Sequence, residues 1–307
     1  MTDTPQITLS SWLMIALLGV VWGGTFMVTE IALEGITPFW LAASRIGLAS
    51  VILAGVWGLR GFRLFTARPD SGELVAMGII GALSSAVPFA LLAWGQQYVT
   101  AGFAGVSMAS VALIILPLAH FFVPGEQMSR RRVAGFVLGF IGVCILIGGQ
   151  AFESTGTTLE IPGRIACVGA AACYAVGSIL LRRLPAVDSI GLAAVLSLIG
   201  AAISIPLALV VEGLPPLPSN DILLVLLFLG IVPTALANLL RVLVVRSAGP
   251  VFMSLVNYQV PVWSVLLGSV FLAEQLPPSL LVAMTLILIG VGTSQFGALK
   301  RLFGLND

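Results

Sequence analysis

Long apolar runs constrain this chain more than any other feature of its sequence. Each run is roughly 20 residues long, enough for an α-helix to cross the ~30 Å hydrocarbon core of a bilayer. Only 9% of the 307 residues are charged, whereas a soluble domain carries about a quarter. Because backbone groups in lipid must bond to one another, repeated runs of this length predict an all-α polytopic membrane protein.

Polar residues, glycines and prolines divide the sequence into ten such runs, which predicts ten transmembrane helices. The connections between the runs are short, so consecutive helices are expected to be antiparallel neighbours within a single transmembrane domain, 1–307. The predicted spans are 12–33, 37–58, 73–95, 100–122, 131–150, 162–183, 189–211, 222–244, 249–272 and 278–298.

Basic residues accumulate on one side of a ten-span arrangement. Twelve of the fourteen Lys and Arg follow the even-numbered spans or flank their ends: Arg60, Arg63, Arg68, Arg130, Arg131, Arg132, Arg182, Arg183, Arg241, Arg246, Lys300 and Arg301. The opposite side holds the acids Glu30, Glu34, Glu153, Glu160, Glu212, Asp221 and Glu274. Because basic residues in short loops mark the cytoplasm, this pattern predicts cytoplasmic termini and a multi-pass protein of a bacterial-type inner (plasma) membrane.

One phrase of the sequence occurs twice, 148 residues apart. Glu126-Gln127 in the first copy corresponds to Glu274-Gln275 in the second, and Ile141-Gly142-Val143 corresponds to Ile289-Gly290-Val291. Three arginines follow the first Glu-Gln and none follows the second. A repeat unit of five helices would enter the membrane the other way up in its second copy, so the sequence predicts two inverted repeats, 1–150 and 151–307.

Three stretches resemble the drug/metabolite transporter superfamily, specifically exporters built from two EamA repeats. They are "GVVWGGTFMV" in the first span, "TPFWLAASRIGLAS" in the second, and "SAGPVFMSLVNYQVPVWSVLLGSVFLAEQL" at 247–276. The resemblance covers essentially the whole chain, and the branch that it is most similar to is the YddG-type amino-acid exporters. It implies export of small metabolites, most often amino acids and possibly aromatic ones, by alternating access.

The two halves depart from exact symmetry at one proline. Pro261 lies thirteen residues before Glu274, whereas Pro117 lies nine residues before Glu126. A kink in the fourth span would therefore lie at a different depth from a kink in the ninth.

Several polar and aromatic residues fall at mid-depth in the predicted spans. Polar groups are costly in hydrocarbon, so they are expected to face the bundle interior or a wet cavity. Thr234, Asn238 and Arg241 share one helix face by their spacing. The candidate solute-binding residues are Trp22, Ser84, Ser110, Tyr174, Asn238, Asn257 and Tyr258, and the candidate structural or gating residues are Arg45, Pro88, Pro233 and Pro261.

Asn257 and Tyr258 lie near the centre of the predicted ninth span. Pro261 removes the helical hydrogen bond to the Asn257 carbonyl, which leaves that oxygen available to a solute ammonium group. We therefore expect both side chains to contribute to transport. The alternative is that such hydroxyls and amides bond within their own helix, as serines and threonines commonly do.

Arg45 lies within the second span and allows two interpretations. It could bind the carboxylate of a solute, or it could pair with Glu30 or extend to the outer surface. The second interpretation, a structural anchor, is favoured by the sequence.

Neither an Asp nor a Glu lies near the middle of any predicted span. This favours an uncharged or zwitterionic solute and a facilitator without tight ion coupling. A multidrug exporter of organic cations is the alternative, with Trp22 and Tyr258 as cation–π partners. A membrane enzyme is a further alternative, opposed by the lack of a His, Cys or carboxylate cluster within the spans.

The sequence indicates no cofactor and no metal site. His120 is the lone histidine, and Cys144, Cys167 and Cys173 all fall within apolar runs without metal-ligand spacing. The expected partners are a small-molecule solute and the lipid bilayer, with no nucleic acid and no obligate protein partner.

Overall fold

The described part of the chain is helical from end to end. A computed structural model describes residues 8–64, 70–122, 128–148, 158–181, 184, 187–215, 217–253 and 255–302. These residues form ten helical runs, which we label α1 to α10. They are α1 (Leu9–Leu33), α2 (Pro38–Leu59), α3 (Ser71–Gly95), α4 (Ala101–Phe122), α5 (Arg130–Gly148), α6 (Glu160–Leu181), α7 (Ser189–Glu212), α8 (220–253), α9 (Val256–Phe271) and α10 (Pro278–Leu302).

Seven helices of the described residues are long and apolar enough to cross a membrane. They are α1 to α4, α6, α7 and the Asn220–Arg241 part of α8, and a shorter apolar stretch, Pro278–Ser294, lies in α10. The all-α polytopic membrane fold is thus confirmed. The number of ten crossings stays a prediction, because α5, α9 and α10 do not meet both criteria over the described residues.

Helix boundaries agree with the predicted spans to within a few residues except between α8 and α9. The predicted break at 245–248 is wrong, because α8 continues through Gly249 and Pro250 to Met253. α9 then begins at Val256. A proline within a membrane helix is tolerated where other groups can satisfy the freed carbonyl, so Pro250 alone is not a reliable sign of a helix end.

Side-chain caps fix where several helices begin. The hydroxyl of Thr8 accepts a hydrogen bond from Ser11 N (3.3 Å), and Asp70 Oδ1 accepts one from Glu73 N (2.7 Å). Asp188 Oδ2 accepts one from Gly191 N in the same way (2.7 Å). These oxygens bond amide groups that have no partner within the helix, so the short polar segments between the apolar runs set the helix starts.

Three of the acids on the predicted outer side bond to the N-terminus of a helix that is distant in sequence. Glu212, the last residue of α7, accepts hydrogen bonds from the amides of Phe39 and Trp40 (3.1 and 3.0 Å) at the start of α2. Ala101 N, at the start of α4, donates to both Glu30 Oε2 (3.0 Å) and Glu274 Oε1 (2.7 Å). The positive end of a helix dipole favours such carboxylates, which explains where these acids lie.

Helices that correspond in the two repeats pack antiparallel to one another. In α5 and α10, the guanidinium of Arg131 lies over the ring of Phe296, 4.9 Å from its centroid. Further along, a Cβ added to Gly290 would lie 2.5 Å from Gly139 N, and one added to Gly142 would lie 2.8 Å from Ile287 Cγ1. The start of α5 therefore lies beside the end of α10, and glycines let the two backbones approach.

The pair α2–α7 shows the same relation. Trp40, at the start of α2, donates from Nε1 to the Gly213 carbonyl just after α7 (3.0 Å). At the other end, Trp57 Nε1 lies 2.7 Å from where a Cβ on Gly191 would stand. Corresponding helices thus run in opposite directions, as two inverted repeats require.

Some residues of the sequence analysis lie outside the described residues. They include Glu126 and Gln127 of the first repeated phrase, and several loop charges: Arg68, Glu153, Arg182 and Arg183.

Candidate functional site

A cavity of about 490 Å³ lies between the two repeats. All the helices except α5 and α10 contribute to its lining as far as the structure describes it. Its polar lining residues are Trp22, Thr25, Thr29, Arg45, Ser84, Ser85, Gln96, Tyr174, Ser178, Ser197, Thr234, Asn238, Arg241 and Asn257. The volume is within the range of sites for small organic ligands.

Two π-helical turns face this cavity from opposite repeats. One spans Ala82–Ala86 in α3, and the other spans Gly230–Leu236 in α8, so they begin 148 residues apart. The first contributes Ser84 and Ser85 to the lining, and the second contributes Pro233 and Thr234. Such turns are frequent at functional sites, because they free backbone groups and change the direction in which side chains point.

The side chain of Arg45 is 5% exposed and lines the cavity. Its Nε and Nη2 donate to Thr234 Oγ1 (3.3 and 3.2 Å), and its guanidinium lies 4.4 Å from the centroid of the Phe89 ring. The side chain therefore neither pairs with Glu30 nor extends to the outer surface, and its role as a structural anchor stays a prediction. Glu30 bonds to the start of α4 instead.

Arg241 also faces the cavity, although it was counted with the cytoplasmic loop charges. It lies within α8, its side chain is exposed, and it belongs to the cavity lining. Its spacing from Thr234 and Asn238 places it on the face of α8 that lines the cavity. Tyr174, Arg45 and Arg241 all line this cavity, so the three side chains contribute to one polar wall.

Four more candidate residues lie on the cavity wall. Trp22 donates from Nε1 to the carbonyl of Pro233 (3.1 Å), which links α1 to the π-helical turn of α8. Asn238 donates from Nδ2 to the carbonyl of Thr234 (2.6 Å). Tyr174 and Ser84 complete this set. Trp22 and Asn238 thus each bond the backbone that the second π-helical turn leaves accessible.

Asn257 and Tyr258 separate in the structure. Both belong to the first turn of α9, not to the middle of a span. The side chain of Asn257 is exposed into the cavity, whereas Tyr258 is not part of the lining and packs in the apolar core. A Cβ on Gly292 would lie 4.0 Å from Tyr258 Cε1, so this ring points toward α10.

Ser110, which corresponds to Tyr258 in the first repeat, is also outside the lining. It is fully buried in α4. Neither the Ser110 hydroxyl nor the Tyr258 hydroxyl has a hydrogen-bond partner among the residues that the structure describes. A buried hydroxyl without a hydrogen-bond partner is destabilising. In this respect both hydroxyls differ from the Trp22 and Asn238 side chains of the cavity wall, which form hydrogen bonds.

The three candidate prolines differ in their relation to the cavity. Pro233 lies inside the π-helical turn of α8 and lines the cavity. Pro88 follows the π-helical turn of α3 and is buried, as is Pro261 within α9. The prolines near both π-helical turns mark where the ordinary helical hydrogen bonding changes.

The lining carries two arginines and no acid. Among the lining residues that the structure describes, Arg45 and Arg241 are charged and none is an Asp or a Glu. The described residues also hold no group of His, Cys, Asp and Glu side chains suited to a metal ion. The electrostatic character of the cavity is therefore positive.

Sequence reasoning missed several residues of the cavity wall. Gln96 donates from Nε2 to the Phe26 carbonyl (2.9 Å), and Phe89 stacks on Arg45. Ser197 and Thr29 complete the polar wall. One signal was available for Arg241, because its spacing places it on the same face of the helix as Thr234 and Asn238.

Comparison with known proteins supports a transporter. The model of the EamA-like transporter family matches residues 9–148 and again 161–294. The chain is 26% identical to the uncharacterized inner membrane transporter YedA of Escherichia coli K12, over 82% of this chain and 79% of that protein. The protein is thus a membrane transporter with two EamA repeats, and its relatives indicate the inner membrane.

Two further relatives have names that include a solute. The chain is 28% identical to a probable terminal-alkyne amino-acid exporter of Streptantibioticus cattleyicolor, over 52% of each chain. It is 25% identical to an S-adenosylmethionine/S-adenosylhomocysteine transporter of Chlamydia trachomatis serovar D, over 90% of this chain and 86% of that protein.

The fold is also similar to a known crystal structure. That structure superposes with a TM-score of 0.66 at 23% identity and covers 94% of this chain and 98% of its own. The two family matches and the antiparallel packing of corresponding helices both indicate two related repeats. The cavity that both repeats line agrees with this arrangement. The protein belongs to the EamA-like transporter family of the drug/metabolite transporter superfamily.

Proposed function

We propose that this protein exports a small amino-acid-like metabolite from the cytoplasm by alternating access. The observation that carries the proposal is the cavity of about 490 Å³, which both repeats line and which combines a guanidinium, amides and a phenol. An α-carboxylate fits Arg45, because Arg presents several donors to one carboxylate. An α-ammonium group fits the side-chain oxygen of Asn257.

The relatives support the same solute class. One is named for a terminal-alkyne amino acid and another for S-adenosylmethionine and S-adenosylhomocysteine. All three solutes contain an α-amino-acid group. A shared recognition of that group, with different side-chain pockets, would account for both relatives.

The paired π-helical turns support alternating access. They lie at corresponding positions of two inverted repeats, and each borders the cavity. In alternating access the cavity opens first to one side of the membrane and then to the other, and two inverted repeats achieve this by exchanging their conformations. Irregular turns within helices are the points where such helices bend. The lining holds no acid among its described residues, so we propose a facilitator that is not coupled to protons through the cavity wall.

Counterflow in proteoliposomes tests the proposal. Purified protein is reconstituted with an unlabelled amino acid inside, and uptake of labelled amino acids and labelled organic cations is measured with and without a pH gradient. We expect counterflow of amino acids that does not require the gradient. Uptake of cations alone would favour the multidrug alternative, and strict dependence on the gradient would overturn the facilitator mechanism.

A further inference from the structure

We propose that the transported solute carries net negative charge, as an amino acid with a second acidic group. The inference rests on the proposed function and narrows it. Its basis is the presence of two guanidinium groups, those of Arg45 and Arg241, in a cavity whose described lining contains no carboxylate.

The environment of Arg45 suits anion binding better than a purely structural role. Its two hydrogen bonds to described residues share a single neutral acceptor, Thr234 Oγ1 (3.3 and 3.2 Å), and the Phe89 ring covers one face of the guanidinium. These contacts fix the orientation of the group but leave its charge uncompensated. A guanidinium has five N–H donors, so others remain for an oxyanion.

Arg241 adds a second positive charge at another level of the same cavity. It follows Thr234 by seven residues along α8, or about two helical turns and ~10 Å. Thr234 contacts Arg45, and both arginines line the same cavity. Two oxyanions of one small solute could therefore be bound in this cavity, each by one guanidinium.

The two charges are difficult to explain for a neutral solute. A buried charge such as that of Arg45 is costly unless it is paired and hydrogen-bonded, and neither Arg45 nor Arg241 has a carboxylate partner within the described residues. With one arginine, the α-carboxylate of any amino acid would balance the charge. With two, a solute that carries a second acidic group balances both.

Net charge would also give export a driving force. The cytoplasm is electrically negative, so a monovalent anion moves outward down the membrane potential. A potential of 100 mV corresponds to about a 50-fold concentration ratio for one charge. Export of an anionic amino acid would thus need no coupling ion, in agreement with a cavity whose described lining contains no acid.

Electrogenic transport by the full chain in proteoliposomes is the direct test. Uptake of labelled glutamate and aspartate is compared with uptake of serine and leucine, while potassium gradients and valinomycin set the membrane potential. We expect the acidic amino acids to be transported at least tenfold faster. Their accumulation should rise when the vesicle interior is made positive and fall when it is made negative.

Three variants connect this preference to the two arginines. Arg241→Gln and Arg45→Gln should each reduce glutamate uptake at least tenfold more than serine uptake, and Arg241→Lys should retain part of the preference. Arg60→Gln is the matched control, because Arg60 is half exposed and pairs with Asp188 away from the cavity (3.5 Å). Thermal-shift assays with glutamate and with serine give a second readout on wild-type protein that does not depend on transport.

The outcomes separate this inference from the broader proposal. Transport of serine and leucine at rates equal to or above those of glutamate, without response to the potential, would overturn the inference and leave amino-acid export standing. Transport of organic cations without any amino acid would overturn both. If the variants fold poorly, the wild-type response to the potential still decides between these outcomes.

Discussion

The two repeats of this protein agree in their backbone and differ in their charges. The π-helical turns at Ala82–Ala86 and Gly230–Leu236 begin 148 residues apart, and Gly142 and Gly290 occupy corresponding positions in α5 and α10. Arg241, in contrast, corresponds to Ala93, and both residues line the cavity. Features that shape the helices thus repeat, whereas the charge that faces the solute does not.

The difference separates two demands on an inverted repeat. Alternating access requires the two halves to bend and pack in equivalent ways, which favours equal backbones. A solute is asymmetric, so the cavity that binds it gains from side chains that differ between the halves. Arg45 shows the same contrast, because α7, the counterpart of its helix, contributes Ala193, Leu196 and Ser197 to the lining and no charge.

The largest expected effect concerns the relative orientation of the repeats. Single cysteines that replace Arg131, at the start of α5, and Gln275, before α10, should be labelled from opposite sides of the membrane by an impermeant maleimide. The antiparallel packing of α5 on α10 is the physical reason. Labelling of both positions from the same side would end the comparison of inverted repeats.

Replacement of a closely packed glycine by alanine is expected to be equally destabilising in the two repeats. Gly290→Ala places a Cβ 2.5 Å from Gly139 N, and Gly142→Ala places one 3.0 Å from the Ala283 carbonyl oxygen. Backbone atoms cannot move aside as side chains can, so we expect each variant to lose roughly 1–3 kcal/mol or more of stability. Size-exclusion chromatography after heating measures this loss.

Gly78→Ala is the matched control for these glycines. A Cβ at Gly78 in α3 would meet nothing within 4 Å. Its melting temperature should equal that of the wild type or exceed it slightly. Loss of stability in Gly78→Ala equal to that in Gly290→Ala would show that helical glycines matter here for a reason other than close packing.

A substitution at Thr234 tests the contribution of the charged part of the cavity wall. Thr234→Val keeps the shape of the side chain but removes the hydroxyl that accepts from Arg45 and donates to the Leu229 carbonyl (2.7 Å). We expect transport to fall about tenfold, equivalent to ~1.4 kcal/mol, since hydrogen bonds to charged groups contribute about that much. Uptake in proteoliposomes measures the change, and Thr234→Ser, which retains the hydroxyl, should stay near the wild type.

The smallest expected effects come from two neighbours in α9. Asn257→Ala should lower transport roughly threefold, because it removes one neutral polar contact of the cavity wall. Tyr258→Phe should change transport less than about twofold and should not lower the melting temperature, because the buried Tyr258 hydroxyl has no partner among the described residues. A larger loss in Tyr258→Phe than in Asn257→Ala would mean that this ring faces the solute in another conformation.

The sequence alone determined the helical membrane fold and its internal repeat. Lipid offers no partner to backbone groups, so long apolar runs can only be helices, and nine of the ten predicted spans start within a few residues of the observed helices. The repeated Glu-Gln and Ile-Gly-Val phrases indicated two related halves. Polar residues at mid-depth identified much of the cavity wall, including Trp22, Ser84, Tyr174, Asn238 and Asn257.

Only the tertiary structure decided which side of each helix faces the cavity. A π-helical turn changes the helical period locally, so spacing alone does not relate the side chains before the turn to those after it. Arg241 lies after such a turn in a helix that runs past Pro250, and it faces the cavity instead of a loop. Arg45 bonds Thr234, which is 189 residues away in the sequence, because α2 packs on α8. Contacts of that kind depend on how whole helices pack together, which a local sequence pattern does not predict.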